Sequence, residues 1–376
     1  MASLARVYRR GRMIEIRVEL GAHSHPVHVG HGALDLLPEL VGPARGRTVI
    51  VADERVWALH GRRARRSFSR LGAKRHLLLK SGERVKSRAT LARLHDFFLA
   101  TGLARDGLVI AFGGGVVGDV TGFAAATYMR GVAWLPVPTT LLAMTDSAIG
   151  GKVAVNHPRA KNLIGAFHQP RAVLVDPRLL DSLPPRQAQS GAYELLKAGL
   201  IADRSLFDSM RRVPRQLVHW SRAEREQAIA AGVRVKTRIV EADEKESGKR
   251  KLLNLGHTLG HALEAVTSYR RFTHGEAVGW GIIGASWIAR SRKLLSQTGF
   301  EAIAAAVDHL GRRPAITDLK TNQVLARLAH DKKAERGRVP FILPRSPGRV
   351  SIVRDVSSAE IRAALRAMAA RETRLD

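Results

Sequence analysis

The chain contains no cysteine among its 376 residues. This absence excludes disulfide bonds, thiolate metal sites and a cysteine nucleophile, so a bound metal must use histidine, carboxylate or other oxygen ligands. Aromatic residues are few, at 5%, which argues against a stacking platform for single-stranded nucleic acid. No run of about 18 apolar residues occurs, and we therefore expect no membrane-spanning segment and no membrane partner.

Acidic residues are also scarce, since 33 Asp and Glu stand against 62 Lys and Arg, a formal net charge of +29. Such a charge is typical of nucleic-acid binding or of an arginine-rich solvated surface. The densest basic cluster, GRRARRSFSRLGAKRH at 61–76, reads as the polar side of a helix. We favour a solvated surface that attracts small anionic substrates, with no specific nucleic-acid partner.

The start of the chain, MASLARVYRRGRM, is rich in arginine and lacks the apolar core of a secretory signal. We expect residues 1–12 to form a disordered basic extension, and a weak organellar presequence is the alternative. The lack of cysteine is compatible with a reducing compartment, and we expect a cytoplasmic protein. Its length favours two domains.

Short apolar runs alternate with helical patterns in the first half of the chain, which predicts a mostly parallel sheet with intervening helices. The strand candidates are residues 47–53, 75–80, 107–112, 132–137 and 172–176, with a possible hairpin of 13–20 and 25–30 beside them. After Pro184 and Pro185 the pattern changes to long amphipathic segments at 189–202, 221–243, 252–267 and 275–294. We therefore expect a Rossmann-like α/β domain over 1–180 and an α-helical domain over 181–376.

The stretch AFGGGVVGDVTGF follows a predicted strand and opens a predicted helix. Gly113, Gly115 and Gly118 satisfy G-x-G-x-x-G in the context that this dinucleotide motif requires. Its glycines let the backbone approach a pyrophosphate, and the helix N-terminus favours the negative charge. The acidic residue expected about 20 residues later is absent, so a standard Rossmann half is not a clean fit, and a variant could take its ribose contacts from earlier strand ends, such as Asp53 or Glu83.

The stretch LLNLGHTLGHALEA, residues 252–265, reads as one helix with His257, His261 and Glu264 at i, i+4 and i+7. Two histidines at this spacing can converge on one metal ion. Ordinary helix histidines explain the spacing equally well, because the glutamate of the zincin motif is missing. Gly256 and Gly260 weaken a helix, which indicates close backbone approach or tight helix packing there.

Two further segments carry charged groups. Asp146, Lys152, Lys161 and Asn162 lie in a glycine-containing stretch, residues 145–162, that reads either as a phosphate-binding loop or as a solvated one. Glu194 and Lys197, three apart on a predicted helix, read from spacing alone as a salt pair.

Taken in order, these segments resemble the 3-dehydroquinate synthases of the shikimate pathway, within the sugar phosphate cyclase superfamily. The resemblance covers roughly residues 13–355 and rests on SGERVK, GGGVVGDVTGFAAATYMRG, PTTLLAMTDSAIGGKVAVNHPRAKNLIGAFHQP, SGAYELLKAGLI, LLNLGHTLGHALEA, HGEAV and HDKK. It implies an NAD-binding α/β domain and a helical domain for metal and substrate, with the reaction in the cleft between them.

For the metal, the resemblance implies zinc or cobalt held by Glu194, His257 and His274. His261, which the spacing would pair with His257, is implied instead to face the substrate phosphate. The resemblance implies NAD contacts at Asp53, Ser81, Gly82, Glu83, Arg84, Val85, Lys86, Gly114, Gly115, Val116, Val117, Gly118, Asp119, Thr139, Thr140, Lys152, Lys161, Leu179, Leu180, Asp181 and Ser182.

The implied substrate carries a carboxylate, which Lys236 and Arg250 would pair with, and a phosphate. Arg130 would reach the neighbouring subunit's site in a homodimer. The further implied catalytic or substrate-binding residues are Asp146, Lys152, Asn162, Lys197, Glu246, Asn254, His261 and one of Lys332 and Lys333.

The implied reaction converts 3-deoxy-D-arabino-heptulosonate 7-phosphate to 3-dehydroquinate and phosphate. It proceeds by transient oxidation with NAD, β-elimination, reduction and intramolecular aldol closure. Val153, Ala160 and Ala198 depart from the usual family residues and leave a specialised paralogue open. The alternatives are a cyclase that makes an inosose or a valiolone, a metal-dependent polyol dehydrogenase that releases NADH, and a basic nucleic-acid binder.

Overall fold

A computed structural model describes residues 7–10, 13–42, 46–158, 160–334 and 339–372. The strands are β1 (Val7–Arg10), β2 (Met13–Val18), β3 (His25–Val29), β4 (Thr48–Asp53), β5 (Arg75–Leu79), β6 (Leu108–Gly113), β7 (Ala133–Pro138), β8 (Lys152–His157), β9 (Ala160–Phe167), β10 (Val173–Val175), β11 (Phe341–Ser346) and β12 (Arg349–Val353). The helices are α1 (Leu37–Val41), α2 (Glu54–Arg70), α3 (Arg88–Ala100), α4 (Gly115–Thr127), α5 (Pro185–Ala202), α6 (Arg204–Met210), α7 (Arg222–Ala242), α8 (His257–Val266), α9 (His274–Ser291), α10 (Gln297–His309), α11 (Thr321–Ala334) and α12 (Ser358–Glu372).

The chain divides into two compact units. The first unit contains Met1–Leu183 and Arg225–Lys245, and the second contains Pro184–Glu224 and Glu246–Asp376. The break after Leu183 lies close to the predicted boundary at 180, but residues 225–245 had been expected in the second domain. They join the first because α7 bonds to it: the Glu241 carboxylate accepts the Glu19 N–H at 2.8 Å. An amphipathic pattern does not indicate which unit buries the helix.

A parallel sheet with strand order β5-β4-β6-β7 forms the centre of the first unit. Its strands were predicted within two residues of their ends. Strand β6 is buried along its whole length, as expected for a strand covered on both faces. The chain passes from β4 outward to β5 and then returns to the other side of β4, so the strand order reverses between β4 and β6. Ligands bind at the carboxyl ends of strands at such a switch point.

A second sheet of the first unit has the order β1-β2-β3-β10. The predicted hairpin of β2 and β3 is confirmed as an antiparallel pair. Residues 172–176 were wrongly assigned to the main sheet, because β10 pairs in parallel with β3 instead. The expectation of disorder over 1–12 is wrong for Val7–Arg10, which pairs with β2 as β1, while residues 1–6 and 11–12 lie outside the described part of the chain.

Two hairpins were not predicted. The strands β8 and β9, whose residues up to 162 were read as part of a loop, form an antiparallel pair, and β11 pairs with β12 in the otherwise helical second unit. Strand β9 has an irregular pattern of exposure with Leu163 and Phe167 exposed. A strand with this little apolar alternation gives no period-2 signal in the sequence.

The helices α8 and α9 of the second unit pack with their backbones close together. Gly256, in a left-handed conformation with φ of 80°, precedes α8, so the helix starts at His257 and not at Leu252 as predicted. A Cβ atom added to Gly281 would lie 1.8 Å from the carbonyl oxygen of Gly256, and one at Gly260 would lie 3.0 Å from that of Ala277. Tight helix packing is therefore the reason for glycine at 256 and 260.

No helix among the described residues is long and apolar enough to cross a membrane.

The contact between α8 and α9 can be tested with Gly281→Ala. The added methyl group has to push the helices apart, and we expect a loss of about 2–3 kcal/mol in the free energy of unfolding, at the upper end of overpacking costs. Urea unfolding followed by circular dichroism measures it. Ser291→Ala, at an exposed position in the last turn of the same helix, should change the value by less than about 0.5 kcal/mol. An equal effect of both variants would contradict the packing argument.

Candidate active site

The start of α9 is fixed by its own cap and by α5. Thr273 and Glu276 form a capping box around the first turn. The Arg186 guanidinium of α5 donates to the buried Glu276 carboxylate at 2.7 and 2.8 Å. One helical turn further along α5, Ser190 Oγ accepts the N–H of Gly275 at 2.9 Å. These bonds set the register in which His274, at the start of α9, lies against α5.

Gly275 is required by this approach, because a Cβ atom there would lie 2.1 Å from the carbonyl oxygen of Ser190. The next turn of α5 carries Glu194, and its Oε1 lies 3.6 Å from His274 Nε2. Lys197 Nζ lies 2.5 Å from the other oxygen of Glu194, and both side chains are buried. The salt pair read from their spacing is thus confirmed, although it is buried and not on the surface.

Three histidine side chains meet beside this carboxylate. One nitrogen each of His257, His261 and His274 lies within 4.8 Å of the others. The ring centroids are 5.0 Å apart for His257 and His274, and 5.1 Å apart for His257 and His261. The three rings are therefore close enough for one nitrogen of each to share one ion, while the predicted ligand set of Glu194, His257 and His274 stays a prediction.

The hydrogen bonds of two of these rings fix which nitrogen can bind a metal. His257 Nδ1 lies 3.2 Å from the carbonyl oxygen of Leu255, which can only accept, so Nδ1 carries the proton. His274 Nδ1 likewise faces Oε2 of Glu264 at 3.4 Å. Both rings therefore keep the Nε2 lone pair for a metal, which is the arrangement common among metal-binding histidines.

The electrostatic surroundings of the two rings differ. Removal from water lowers the pKa of His257 well below its ordinary value, and the charge of Lys197 lowers it further. Removal from water acts in the same direction on His274, but the hydrogen bond to Glu264 and the charge of Glu194 outweigh it and raise its pKa. His257 is therefore held neutral, as a metal ligand must be, and His274 lies in a site that favours positive charge.

The donor set fits a divalent cation. Neither oxygen of the buried Glu194 accepts a hydrogen bond of acceptable geometry from the described residues, despite the nearby ammonium of Lys197. A buried carboxylate in this situation is strongly stabilised by a cation. Imidazole and carboxylate donors without thiolate suit zinc and cobalt. The exposed His261 also has a nitrogen within 4.8 Å of one nitrogen each of His257 and His274, so the choice of Glu194 over His261 as the third ligand stays a prediction.

The remaining predicted residues of the second unit lie in and before a 3₁₀ turn that precedes α8, and in α11. Arg250 lies in a 3₁₀ turn, Lys249–Asn254, and its side chain is 1% exposed. Asn254 ends the same turn, and Glu246 precedes it with a positive φ of 60°. Lys332 and Lys333 belong to α11, and their side chains lie outside the described part of the chain.

In the first unit, the glycine loop connects β6 to α4 at the switch point of the sheet. Gly114 is the N-cap of α4 and supplies no side-chain cap, so the first N–H groups of the helix remain available to an anion. A Cβ atom at Gly118 would meet no atom of the described residues within 4 Å, which indicates open space beside the first turn. These features fit the pyrophosphate of a dinucleotide.

Other predicted cofactor residues follow the carboxyl ends of neighbouring strands. Asp53, at the end of β4, caps α2 and accepts a hydrogen bond from Ser81 Oγ at 2.8 Å. Thr139 and Thr140 follow β7, and Thr139 N–H donates to the carbonyl oxygen of Gly113 at 3.0 Å. The parallel sheet thus brings together segments that are far apart in sequence.

The SGERVK turn and the β8–β9 hairpin are joined by a polar network. The buried Lys86 ammonium bonds to the carboxylate of Asp119 and to Oδ1 of Asn162. Burial raises the pKa of Asp119 to about 6, against the opposing charge of Lys86. Asn156, which we did not predict, donates to Oε1 of Glu83 at 2.7 Å and accepts the N–H of Asn162 at 3.1 Å.

Several other predicted residues of the first unit also have partners. Lys236 Nζ lies 2.5 Å from Oδ1 of Asp146, Asp181 pairs with Arg225, and Ser182 Oγ bonds to His60 at 2.7 Å. Arg130 is exposed and has a positive φ of 65°. The other predicted residues of this unit have the following places: Gly82, Arg84 and Val85 in the turn after β5, Gly115, Val116 and Val117 in the first turn of α4, Lys152 in β8, Lys161 in β9, and Leu179 and Leu180 in a 3₁₀ turn.

Comparison with known proteins agrees with this arrangement. The family described as 3-dehydroquinate synthase N-terminal matches residues 76–190, and 3-dehydroquinate synthase C-terminal matches residues 191–334. The chain is 40% identical to the 3-dehydroquinate synthase of Desulforamulus reducens, over 93% of this chain and 99% of that protein. It is 41% identical to that of Pelotomaculum thermopropionicum, over 90% and 93%. The chain belongs to the 3-dehydroquinate synthase family.

Solved structures of other cyclases resemble this member of the 3-dehydroquinate synthase family. A 2-epi-5-epi-valiolone synthase from Streptomyces hygroscopicus subsp. jinggangensis, with NAD+ and Zn2+ bound, is 28% identical with a TM-score of 0.85, over 94% of this chain and 98% of that one. A 2-deoxy-scyllo-inosose synthase in complex with carbaglucose-6-phosphate, NAD+ and Co2+ is 26% identical with a TM-score of 0.84, over 94% and 99%. The predicted fold class, a parallel α/β domain followed by a helical part, is confirmed.

The choice of metal ligands can be tested by substitution of the three histidines. We expect His257→Ala and His274→Ala to lose bound metal, because each leaves two donors of a three-ligand site. His261→Ala should keep nearly stoichiometric metal, while phosphate elimination falls by about 10²- to 10⁴-fold, the usual contribution of a positioned proton-transfer group. Mass spectrometry of the purified variants measures the metal content. A metal-free His261→Ala beside a loaded His274→Ala would make the i,i+4 pair the site and the assignment of Glu194, His257 and His274 wrong.

Proposed function

We propose that the chain converts 3-deoxy-D-arabino-heptulosonate 7-phosphate to 3-dehydroquinate and inorganic phosphate. The observation that carries this proposal is the identity of about 40% to proteins of this name, over nearly the whole of both chains. The valiolone synthase and the inosose synthase compared above are 28% and 26% identical, so this chain is more similar to the dehydroquinate synthases named above than to these two enzymes.

When bound, NAD would accept and return a hydride, and a divalent metal would polarise the oxidised hydroxyl group. Glu194, His257 and His274 are the proposed metal ligands, and zinc or cobalt is the proposed ion. The glycine loop before α4 and the ends of β4, β5 and β7 are proposed to hold NAD. The proposed residues would bind and orient the substrate, NAD and the metal. In the proposed reaction the phosphate leaves after the transient oxidation, because the oxidation makes the neighbouring carbon acidic.

Arg250 is the proposed recognition group for the substrate carboxylate. Its guanidinium is almost fully buried in a tight turn, and a guanidinium held in this way offers the bidentate geometry that a carboxylate needs. The inosose and valiolone substrates lack a carboxylate. The residue at 250 therefore supports the heptulosonate phosphate over them.

The proposed enzyme is a cytoplasmic phosphate-eliminating lyase that works as a homodimer. The exposure of Arg130, in a strained left-handed backbone, suits a side chain that reaches a second subunit. The small anionic substrate of the proposed enzyme accounts for the basic residues of the site, and no nucleic-acid partner is needed to explain them. The alternative of a metal-dependent dehydrogenase differs from the proposed enzyme in the fate of NADH, which a dehydrogenase releases as a product.

The proposed reaction is redox-neutral, and this property separates it from a dehydrogenase. We expect one phosphate released for each heptulosonate phosphate consumed, with no accumulation of NADH. A chelator should abolish the release, and zinc or cobalt should restore it. Phosphate release and NADH absorbance are followed in the same reaction. NADH that accumulates in step with the substrate consumed would identify a dehydrogenase instead.

The role of Arg250 can be tested with Arg250→Lys, which keeps the charge and loses the bidentate fork. We expect kcat/KM for the heptulosonate phosphate to fall by about 10- to 100-fold, the worth of a charge-assisted hydrogen bond. Arg366→Lys, an exposed position of the same unit, is the matched control. A wild-type enzyme that prefers a carboxylate-free heptulose 7-phosphate, or an Arg250→Lys variant without effect, would contradict the assignment.

A further inference from the structure

Glu264 has no role in the proposed reaction, although the sequence places it on the same helix face as His257 and His261. It lies in α8, seven residues after His257, and its residue surface is 7% exposed. A carboxylate withdrawn from water to this extent costs free energy unless a donor or a cation compensates it. Its surroundings must therefore supply that compensation.

One compensating group is the ring of His274. Glu264 Oε2 lies 3.4 Å from His274 Nδ1, and Nε2 on the other side of the ring lies 3.6 Å from Glu194 Oε1. The imidazole is thus held between two carboxylates that come from two different helices, α8 and α5. One carboxylate belongs to the proposed metal site, and the other binds the nitrogen that faces away from it.

The main chain of Glu264 has a separate role, at the C-terminal end of α8. Its carbonyl oxygen accepts the N–H of Tyr269 at 2.7 Å and the hydroxyl of Thr267 at 3.1 Å, and these bonds close the end of α8. They do not depend on the side chain, so a substitution at 264 keeps them. A buried acid that served packing alone would be replaceable by an apolar side chain of similar size with little loss of stability.

We propose that Glu264 is a positioning residue for the metal site. Its carboxylate accepts the Nδ1–H of His274, fixes the ring with Nε2 towards Glu194, and so increases the affinity for the divalent cation. The inference rests on the proposed assignment of His274 as a ligand. Carboxylates that orient a metal-binding histidine in this way typically contribute about 10- to 100-fold in metal affinity.

The test uses two substitutions in the full chain, Glu264→Gln and Glu264→Leu, with Zn2+ and Co2+ as the probes. We expect Glu264→Leu to weaken Zn2+ binding by about 10- to 100-fold, and Glu264→Gln by less, because its amide oxygen still accepts the hydrogen bond. Competition with a chromophoric chelator at one fixed pH gives the Kd. The visible absorption of the bound Co2+ should change in Glu264→Leu, because the ring is no longer held in one orientation.

Two controls separate positioning from a general effect. NAD affinity should stay at the wild-type value in both variants, because the proposed NAD contacts lie in the first unit. Glu301→Gln removes an exposed carboxylate of the second unit, and it should leave the Zn2+ affinity unchanged. This control excludes an effect of net charge alone.

The proposal is wrong if both variants bind Zn2+ within about twofold of wild type. If Glu264→Leu does not fold, Glu264→Ala takes its place, and a wild-type Kd and Co2+ spectrum for it would overturn the idea. Metal binding is measured without turnover, so a wild type that binds Zn2+ but releases no phosphate refutes only the proposed function. A His274→Ala variant that keeps its metal, or a wild type that binds none, removes the basis for Glu264 and overturns the inference.

Discussion

The candidate metal site depends on how closely three helix backbones approach one another. Glycines at the contact points make this approach possible: Gly281 meets the main chain of Gly256, and Gly275 meets that of Ser190. A side chain at either position would clash with the facing main chain and push the helices apart. The packing of α5, α8 and α9 is therefore a condition for the chemistry and not merely a support for it, because the donors come from all three helices.

Glycine residues have a different function in the first unit. In the loop from β6 to α4 the missing side chains leave helix N–H groups open to an anion, whereas between α8 and α9 they allow backbone contact. The parallel sheet brings the other predicted cofactor residues together, because the carboxyl ends of its strands lie at the same edge. Asp53, Ser81 and Thr139 therefore follow neighbouring strand ends although up to 86 positions separate Asp53 from Thr139.

The sequence predicts those parts of the fold and the site that depend on neighbouring residues, and it does not predict those that depend on contacts between distant segments. The apolar runs of β4 and β6 were predicted within a residue or two, because burial on both faces leaves a local pattern. Two features leave no local pattern in the sequence, because they depend on contacts between distant segments. They are the pairing of β10 with β3 and the inclusion of α7 in the first unit. In the site, spacing indicated the cluster around His257. The approach of His274 could not be read from spacing, because it depends on where α9 packs, and the family resemblance supplied it.

Buried charge connects these observations. Glu194 and Glu264 are both carboxylates in places where water is largely excluded, and each would be costly there without compensation. They lie at the two nitrogens of one histidine ring, which they flank at 3.4 and 3.6 Å. Two acids around one imidazole make a site that favours positive charge, and the raised pKa of His274 reflects it. The same field that stabilises a proton on the ring also stabilises a divalent cation beside it, and because the cation carries two charges and binds several donors at once, it is the better match for this arrangement.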